Sequence, residues 1–152
     1  MRTALPLLAL LAVANTAAAA PLIDGTDPQK VLELAKGFGS AELETDAAGD
    51  PSITGRMEGI KYGIFFYGCT DGRNCSELQL STGWTDAEIG LDRLNAWNRD
   101  HRYGKAYLDD ENDPCLEMTV NLKHGVSRQN LEDTLDWWKV AMTTFKKDVV
   151  EN

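Results

Sequence analysis

The last part of the chain carries the pattern that most restricts its fold. Large apolar residues recur there at alternating steps of four and three, which places them along one face of a helix. These residues are Leu131, Leu135, Trp138, Met142, Phe145 and Val149. Ser127 is placed to cap this helix, and Val126 and Leu131 have the spacing of a hydrophobic staple. A helix with a single apolar stripe needs a second layer to pack on, and a sheet explains the stripe.

Strict alternation predicts a strand before this helix. Between residues 114 and 122, apolar residues face one side and mostly polar residues face the other. The apolar side holds Leu116, Met118, Val120 and Leu122, and the opposite side holds Cys115, Glu117, Thr119 and Asn121. Residues 104–110 read as the preceding strand. The acidic stretch 109–113 (DDEND) would then lie at the tip of a hairpin, where Asp, Asn and Pro are ordinary turn residues.

The first half of the domain reads as one helix followed by strands. Asp27 and Pro28 have the residue types preferred for the cap and the first position of a helix. Residues 41–45 are short and extended, and residues 53–69 read as two strands with a bend near Gly59 or Lys61. Leu78 and Leu80 then share one face of a further strand segment.

A second helix is predicted between the strand groups. Thr85 and Glu88 have the spacing of a capping box, and Trp84 precedes the cap as a staple to Ile89. The apolar pattern ends around His101. The chain is therefore predicted to form an α+β domain, an antiparallel sheet with packed helices, in the order α-β-β-β-α-β-β-α.

The N-terminus has the three parts of a secretory signal peptide. Arg2 supplies a positive start, residues 4–13 are apolar, and small alanines follow. We expect residues 1–19 to form the signal peptide with cleavage after Ala19, residues 20–26 to form a linker, and residues 27–150 to form one domain. The apolar run is too short to span a bilayer, which takes about 20 residues. The sequence thus predicts a periplasmic or secreted protein without a membrane anchor.

The charge of the chain excludes classes of partner. Cleavage after Ala19 removes Arg2, one of 15 basic residues, and none of the 24 acidic residues, so the net charge of −9 becomes about −10. Nucleic-acid binding depends on Lys and Arg neutralising phosphates. We therefore expect neither nucleic acid nor an anionic membrane surface as a partner.

The predicted export affects the expected redox state of the three cysteines. Cys69 and Cys75 enclose TDGRN, and if this is a hairpin turn they leave it on facing strands, close enough to form a disulfide. Two reduced thiols are the alternative, but an oxidising compartment favours the bridge. Cys115 is then left as a free thiol. It could cross-link two chains, so an alternative hypothesis is a redox-responsive envelope protein that acts through Cys115.

The sequence holds no catalytic motif that we recognise. It has no GxSxG elbow, phosphate-binding loop, CxxC or HExxH motif, and we expect no enzyme activity, metal or cofactor. His101 and His124 are both read as structural. The rival hypothesis is a metal-dependent enzyme built from Asp109, Asp110, Asp113 and His101, or weak cation binding by the acidic turn alone.

Several residues are candidates for an interface. Tyr107 points away from Leu108, and Trp137 lies beside the stripe of the last helix. With Glu117 and Thr119, they form our predicted partner-binding surface. A sheet covered on both sides would instead bury these side chains.

The sequence also resembles a known family. The segment LNAWNRDHRYGKAYLDDENDPCLEMTVNL, followed by GVS and LEDTLDWW, is similar to the bacterial YbjN domain family. The matching positions are Trp97, Asn98, Ala106, Tyr107, Leu108, Asp109, Asp113, Pro114, Leu116, Glu117, Met118, Val120, Asn121, Leu122, Gly125, Val126, Ser127 and Trp138. The resemblance covers residues 27–148. It implies a regulator of sensory transduction with a fold like that of type III secretion chaperones, which are often dimeric.

These observations together predict an exported, non-enzymatic, chaperone-like module that binds a protein or peptide partner or a second copy of itself. An extended partner segment would add to an edge of the sheet through backbone hydrogen bonds.

Overall fold

The computed structural model describes residues 20–152, and the predicted signal peptide, residues 1–19, lies outside the described residues. Its helices are α1 (Pro28–Lys36), α2 (Leu91–Asp100) and α3 (Arg128–Phe145), and α3 runs into a π-helical turn at Lys146–Val150. Its strands are β1 (Ser40–Thr45), β2 (Pro51–Met57), β3 (Ile60–Tyr67), β4 (Glu77–Gly83), β5 (Lys105–Leu108) and β6 (Pro114–Asn121). No helix in residues 20–152 has both the length and the apolar character needed to cross a membrane.

The strands form one antiparallel sheet in the order β1-β2-β3-β4-β6-β5. The predicted α+β class is confirmed, but the predicted order had one strand too few before the second helix. The segment expected only to be extended is strand β1, which pairs with β2 along its full length. Most side chains of β1 are exposed, so its sequence lacks the apolar alternation that marks a strand.

The sheet has one covered face and one open face. The covered face carries buried residues from the central strands and packs with the helices in a single core. Its main members are Ile53, Met57, Tyr62, Ile64, Phe66, Leu78, Leu80 and Leu116. Apart from Ser52, the strand residues of the opposite face are half-buried or exposed. The domain is therefore a two-layer structure whose sheet is open on one side.

The first and last helices begin as predicted. Asp27 Oδ1 accepts a hydrogen bond from the Gln29 amide at 3.1 Å, and Pro28 is the first helical residue. Ser127 Oγ accepts a hydrogen bond from the Asn130 amide at 3.1 Å. All six residues of the α3 stripe are buried. The stripe is the helix surface that closes the core.

The capping box predicted at Thr85 is wrong. Residues 84–90 are irregular, Asp86 has a φ of 63°, and α2 begins only after Gly90, which makes no side-chain cap. The ring of Trp84 packs on Phe145 of α3, with centroids 5.1 Å apart. Trp84 therefore makes a tertiary contact next to the residues that the capping-box pattern predicted as the first turn of the helix.

The predicted disulfide between Cys69 and Cys75 is present, and it lies beside the N-terminal segment. The Cys75 amide donates to the Gly25 carbonyl at 3.1 Å, and Ile23 exchanges two backbone hydrogen bonds of 2.8 Å with Val126. A Cβ at Gly25 would lie 1.8 Å from the Cys75 carbonyl oxygen, so only glycine fits there. The segment expected to be a linker, residues 20–26, thus contacts the domain at two points.

Candidate functional site

The hairpin of β5 and β6 holds a polar network on the open face of the sheet. Lys105 lies opposite Glu117 in the register, and Tyr107 lies opposite Cys115. The Tyr107 hydroxyl donates to Glu117 Oε1 at 2.6 Å, and Lys105 Nζ lies 3.0 Å from Glu117 Oε2. The Lys105 ammonium also lies 4.9 Å from the centroid of the Tyr107 ring. Each polar group of this network has a partner within it.

The network keeps Tyr107 and Glu117 in their ordinary charge states near neutral pH. Burial opposes ionisation of Glu117, but hydrogen bonds from Tyr107 and Lys105 outweigh it and lower the pKa of Glu117. Burial and the hydrogen bond to Glu117 raise the pKa of Tyr107 well above its usual range. A carboxylate and a phenol held in this way are unsuited to exchange protons near neutral pH.

Cys115 lies next to this network and is the free cysteine of the described residues. Its Sγ lies 3.9 Å from Asp109 Oδ2, and its side chain is half-buried. Burial raises the pKa of the Cys115 thiol, and the negative charge of Asp109 raises it further. The thiolate is the reactive form of cysteine, so this environment lowers the reactivity of Cys115.

The acidic turn uses its first carboxylate to hold its own backbone. Asp109 Oδ1 accepts hydrogen bonds from the amides of Glu111 and Asp113, both at 2.9 Å. Within residues 20–152, no three His, Cys, Asp or Glu side chains are grouped closely enough to hold a metal ion. The residues of the rival enzyme hypothesis, Asp109, Asp110, Asp113 and His101, are thus not assembled into a ligand set.

His101 ends α2 and packs on an aromatic ring. It is stacked on Trp97 with centroids 3.6 Å apart, and its Nδ1 lies 3.2 Å from the Trp97 carbonyl oxygen. The indole Nε1 of Trp97 donates to the Gly104 carbonyl at 3.3 Å. His124 lies apart, in the turn between β6 and α3, with a φ of 75°. His101 thus lies at a helix end and His124 in a turn.

An apolar groove lies on the helical side, between the end of α2 and α3. The rings of Tyr103 and Trp137 stack there with centroids 4.6 Å apart. The space beside them measures about 410 Å³ and is also lined by His101, Val140 and Ala141. We call this the aromatic groove. Six large apolar side chains are exposed within residues 20–152. Three of them line the aromatic groove, namely Tyr103, Trp137 and Val140.

The aromatic groove is lined by one acidic and one basic side chain, Asp100 and Arg102. Asp100 is already paired with Arg99 at 2.9 Å. Arg102 therefore favours a partner that places a carboxylate beside an apolar side chain.

Comparison with protein families places these features in a known domain. A family model described as "Putative bacterial sensory transduction regulator", YbjN, matches residues 27–151. The chain belongs to the YbjN family. No curated protein matches the chain.

The structure separates the residues of the predicted partner surface of this YbjN domain. Tyr107 and Glu117 are hydrogen-bonded on the open face of the sheet, and Thr119 is exposed on the same face. Trp137 lies on the helical side with Tyr103. Sequence analysis missed Tyr103, although an aromatic residue in a polar segment after a predicted helix is a usable signal.

Proposed function

We propose that this YbjN protein is an exported, non-enzymatic module that binds a protein partner through its aromatic groove and acts in regulation. The observation that carries the proposal is the clustering of Tyr103, Trp137 and Val140, which are 39%, 39% and 41% exposed. Exposed apolar side chains that gather around one concave site are typical of interaction surfaces. The family description supports a regulatory role.

The groove suits a side chain inserted by a partner. Trp97 supports its floor through an edge-to-face contact with Phe145, whose centroid is 5.0 Å away. Pre-arranged aromatic side chains give binding energy at low entropic cost, and such residues dominate interfaces. With Arg102 at the groove, they favour a segment that presents an aliphatic or aromatic residue beside an Asp or Glu.

The polar groups outside the groove support the non-enzymatic part of the proposal. Tyr107, Glu117 and Lys105 satisfy one another, and Asp109 closes its own turn. The pKa of Cys115 is raised, so the thiolate that a nucleophile requires is disfavoured. A chaperone-like role, in which the module holds a segment of another exported protein, is consistent with these features.

Site-specific photocrosslinking in the native bacterium tests this function. A photoreactive phenylalanine analogue replaces Trp137, and the matched control replaces Tyr67, an aromatic residue 45% exposed on the open face of the sheet. We expect a discrete cross-linked protein from position 137 that is absent from position 67. Absence of any protein adduct at position 137, or the same adducts at both positions, would overturn the proposal.

Export is tested separately. Cell fractionation should recover the protein outside the cytoplasm, and N-terminal sequencing should begin at Ala20. An intact Met1 on a cytoplasmic protein would contradict the exported part of the proposal while leaving the groove experiment valid.

A further inference from the structure

The two edges of the sheet differ in whether their backbone is available. At the β5 edge, Asn98 Nδ2 donates to the Ala106 carbonyl at 2.9 Å, and the Ala106 amide donates to Asn98 Oδ1 at 2.8 Å. Ala106 is in the middle of this short strand, so a helix side chain already occupies the place of an added strand. The edge of the predicted hairpin surface is therefore closed to strand addition.

The opposite edge, β1, carries no such cover. Within residues 20–152, no hydrogen bond reaches β1 from any element other than β2. In an antiparallel pair, the backbone groups of alternate residues point away from the partner strand. An edge strand of six residues with unpaired N–H and C=O groups is a template for another strand.

The sequence of β1 disfavours a second copy of the chain as the added strand. Glu42 and Glu44 lie on the open face, opposite Thr54 and Ser52 of β2. If two copies of β1 paired antiparallel with their open faces continuous, Glu42 would face Glu42 or Glu44 of the other copy in the two registers of greatest overlap. Like charges directly opposite destabilise a pair of strands. If the open face of one copy instead continued into the covered face of the other, Glu42 would lie opposite the half-buried Leu43.

Further negative charge lies near the start of β1 on the helical side of the sheet, away from the face that carries Glu42 and Glu44. A depression of about 480 Å³ lies at Gly37 and Phe38, just before the strand, and Glu132, Asp133 and Asp136 line it. Lys139 offsets part of this charge through its 2.6 Å contact with Asp136. The basic residue of β2, Arg56, is turned to the Gly59 carbonyl, 3.1 Å from its Nη1. A basic partner matches this edge.

We infer that β1 binds an extended partner segment by strand addition, and that this segment carries Lys or Arg at alternate positions facing Glu42 and Glu44. Its backbone would pair with the free groups of β1. The inference rests on the proposed function, because it gives a protein-binding module a second contact. It uses an edge that is separate from the aromatic groove.

Two synthetic peptides of identical composition test the inference. One alternates Lys and Thr over ten residues (KTKTKTKTKT), and its isomer (KKTTKKTTKT) has no two lysines at positions i and i+2, so it can set only one lysine opposite Glu42 and Glu44. Both have the same charge, but only the first can direct every lysine to one side of a strand. We expect the alternating peptide to bind about threefold more tightly, since it makes both cross-strand ion pairs and the isomer makes only one. Binding of the alternating peptide should also slow hydrogen exchange at the backbone amides of β1.

Charge reversal locates the site. Glu42→Lys with Glu44→Lys should abolish preference for the alternating lysine peptide and create a preference for an alternating Glu–Thr peptide. The matched control, Asp110→Lys with Glu111→Lys, changes the net charge equally at the acidic turn and should keep the original preference. The exchange measurement on the unmodified protein stands even if a variant fails to fold.

Three results would overturn the inference. They are equal binding of the two lysine isomers, slowed exchange away from β1, and self-association through β1 without peptide. Because this experiment does not involve Trp137, its failure alongside successful crosslinking at position 137 would remove the edge site and leave the proposed function standing.

Discussion

The side-chain amide of Asn98 pairs with both backbone polar groups of Ala106. The two hydrogen bonds measure 2.9 and 2.8 Å and join the last turns of α2 to the middle of β5. A planar amide matches a peptide group in donor and acceptor, so it imitates an adjacent strand. The contact both fixes the helix and ends the sheet at β5.

Asn98→Ala should destabilise the protein by about 1–3 kcal/mol, because it leaves the N–H and C=O of Ala106 without partners in a partly buried site. Asn98→Asp keeps the acceptor for the amide but sets a carboxylate oxygen against the Ala106 carbonyl oxygen, so it should not recover the lost stability. Urea unfolding measures both. Arg99→Ala, at the exposed neighbouring position, is the control and should change stability by less than about 0.5 kcal/mol. An Asn98→Ala protein as stable as the wild type would show that the edge is satisfied in another way.

Tyr62→Phe should leave stability unchanged or raise it slightly. The Tyr62 hydroxyl is buried and has no hydrogen-bond partner among the described residues. Removing an unsatisfied polar group removes its desolvation cost and keeps the ring in the core. Tyr107→Phe is the matched control. Its hydroxyl donates to Glu117, so the same chemical change there should cost about 1 kcal/mol.

The wild type and Tyr62→Phe should differ in stability in base. Burial raises the pKa of Tyr62 to about 12 from 10.0, so the folded state holds this proton more tightly than the unfolded state. The contribution of this proton to the stability of the folded state is fully present below pH 10 and is lost as the pH rises to about 12. Unfolding curves of wild type and Tyr62→Phe should therefore separate in this range, with the variant less sensitive. Parallel pH profiles would contradict the raised pKa.

Local patterns explain which parts of the fold the sequence predicted. The α3 stripe and the alternation in β6 depend on the periods of a helix and a strand, so they are readable from neighbouring residues. The disulfide joins cysteines only six positions apart across one turn. Strand β1 and the start of α2 were misread because pairing with β2 and the packing of Trp84 on Phe145 decide them.

The candidate site was only partly predictable for the same reason. Trp137 could be recognised because it lies off the apolar stripe of its helix. Its stacking partner Tyr103 lies in the loop after α2, and no local pattern joins the two. The pairing of Asn98 with Ala106 likewise depends on how α2 packs beside β5. Sequence periodicity assigns a face to each residue, but contacts between elements decide which faces meet.

Glu117→Gln should make the protein less stable at neutral pH, by no more than about 1 kcal/mol, since Lys105 is largely exposed. The pKa of Glu117 is lowered from 4.5 in the folded state. Its carboxylate therefore contributes fully to the stability of the folded protein above pH 4.5, and this contribution is lost as the pH falls below that value. The stability gap between wild type and variant should be constant above pH 4.5 and close as the pH falls below it. Glu111→Gln, the same change at the exposed turn, serves as the control.

Reduction of the Cys69–Cys75 disulfide should cost about 2 kcal/mol, the amount expected for a short closed loop in the chain-entropy model. Cys75 is 4% exposed, and its amide holds Gly25, so the loss should also loosen the N-terminal segment at Ile23. Urea unfolding with and without reductant measures the first effect, and hydrogen exchange of Ile23 and Val126 measures the second. Cys115→Ser should respond to reductant as the wild type does, whereas Cys69→Ser with Cys75→Ser should not respond. A reductant effect that disappears in Cys115→Ser would instead assign the redox sensitivity to the free thiol.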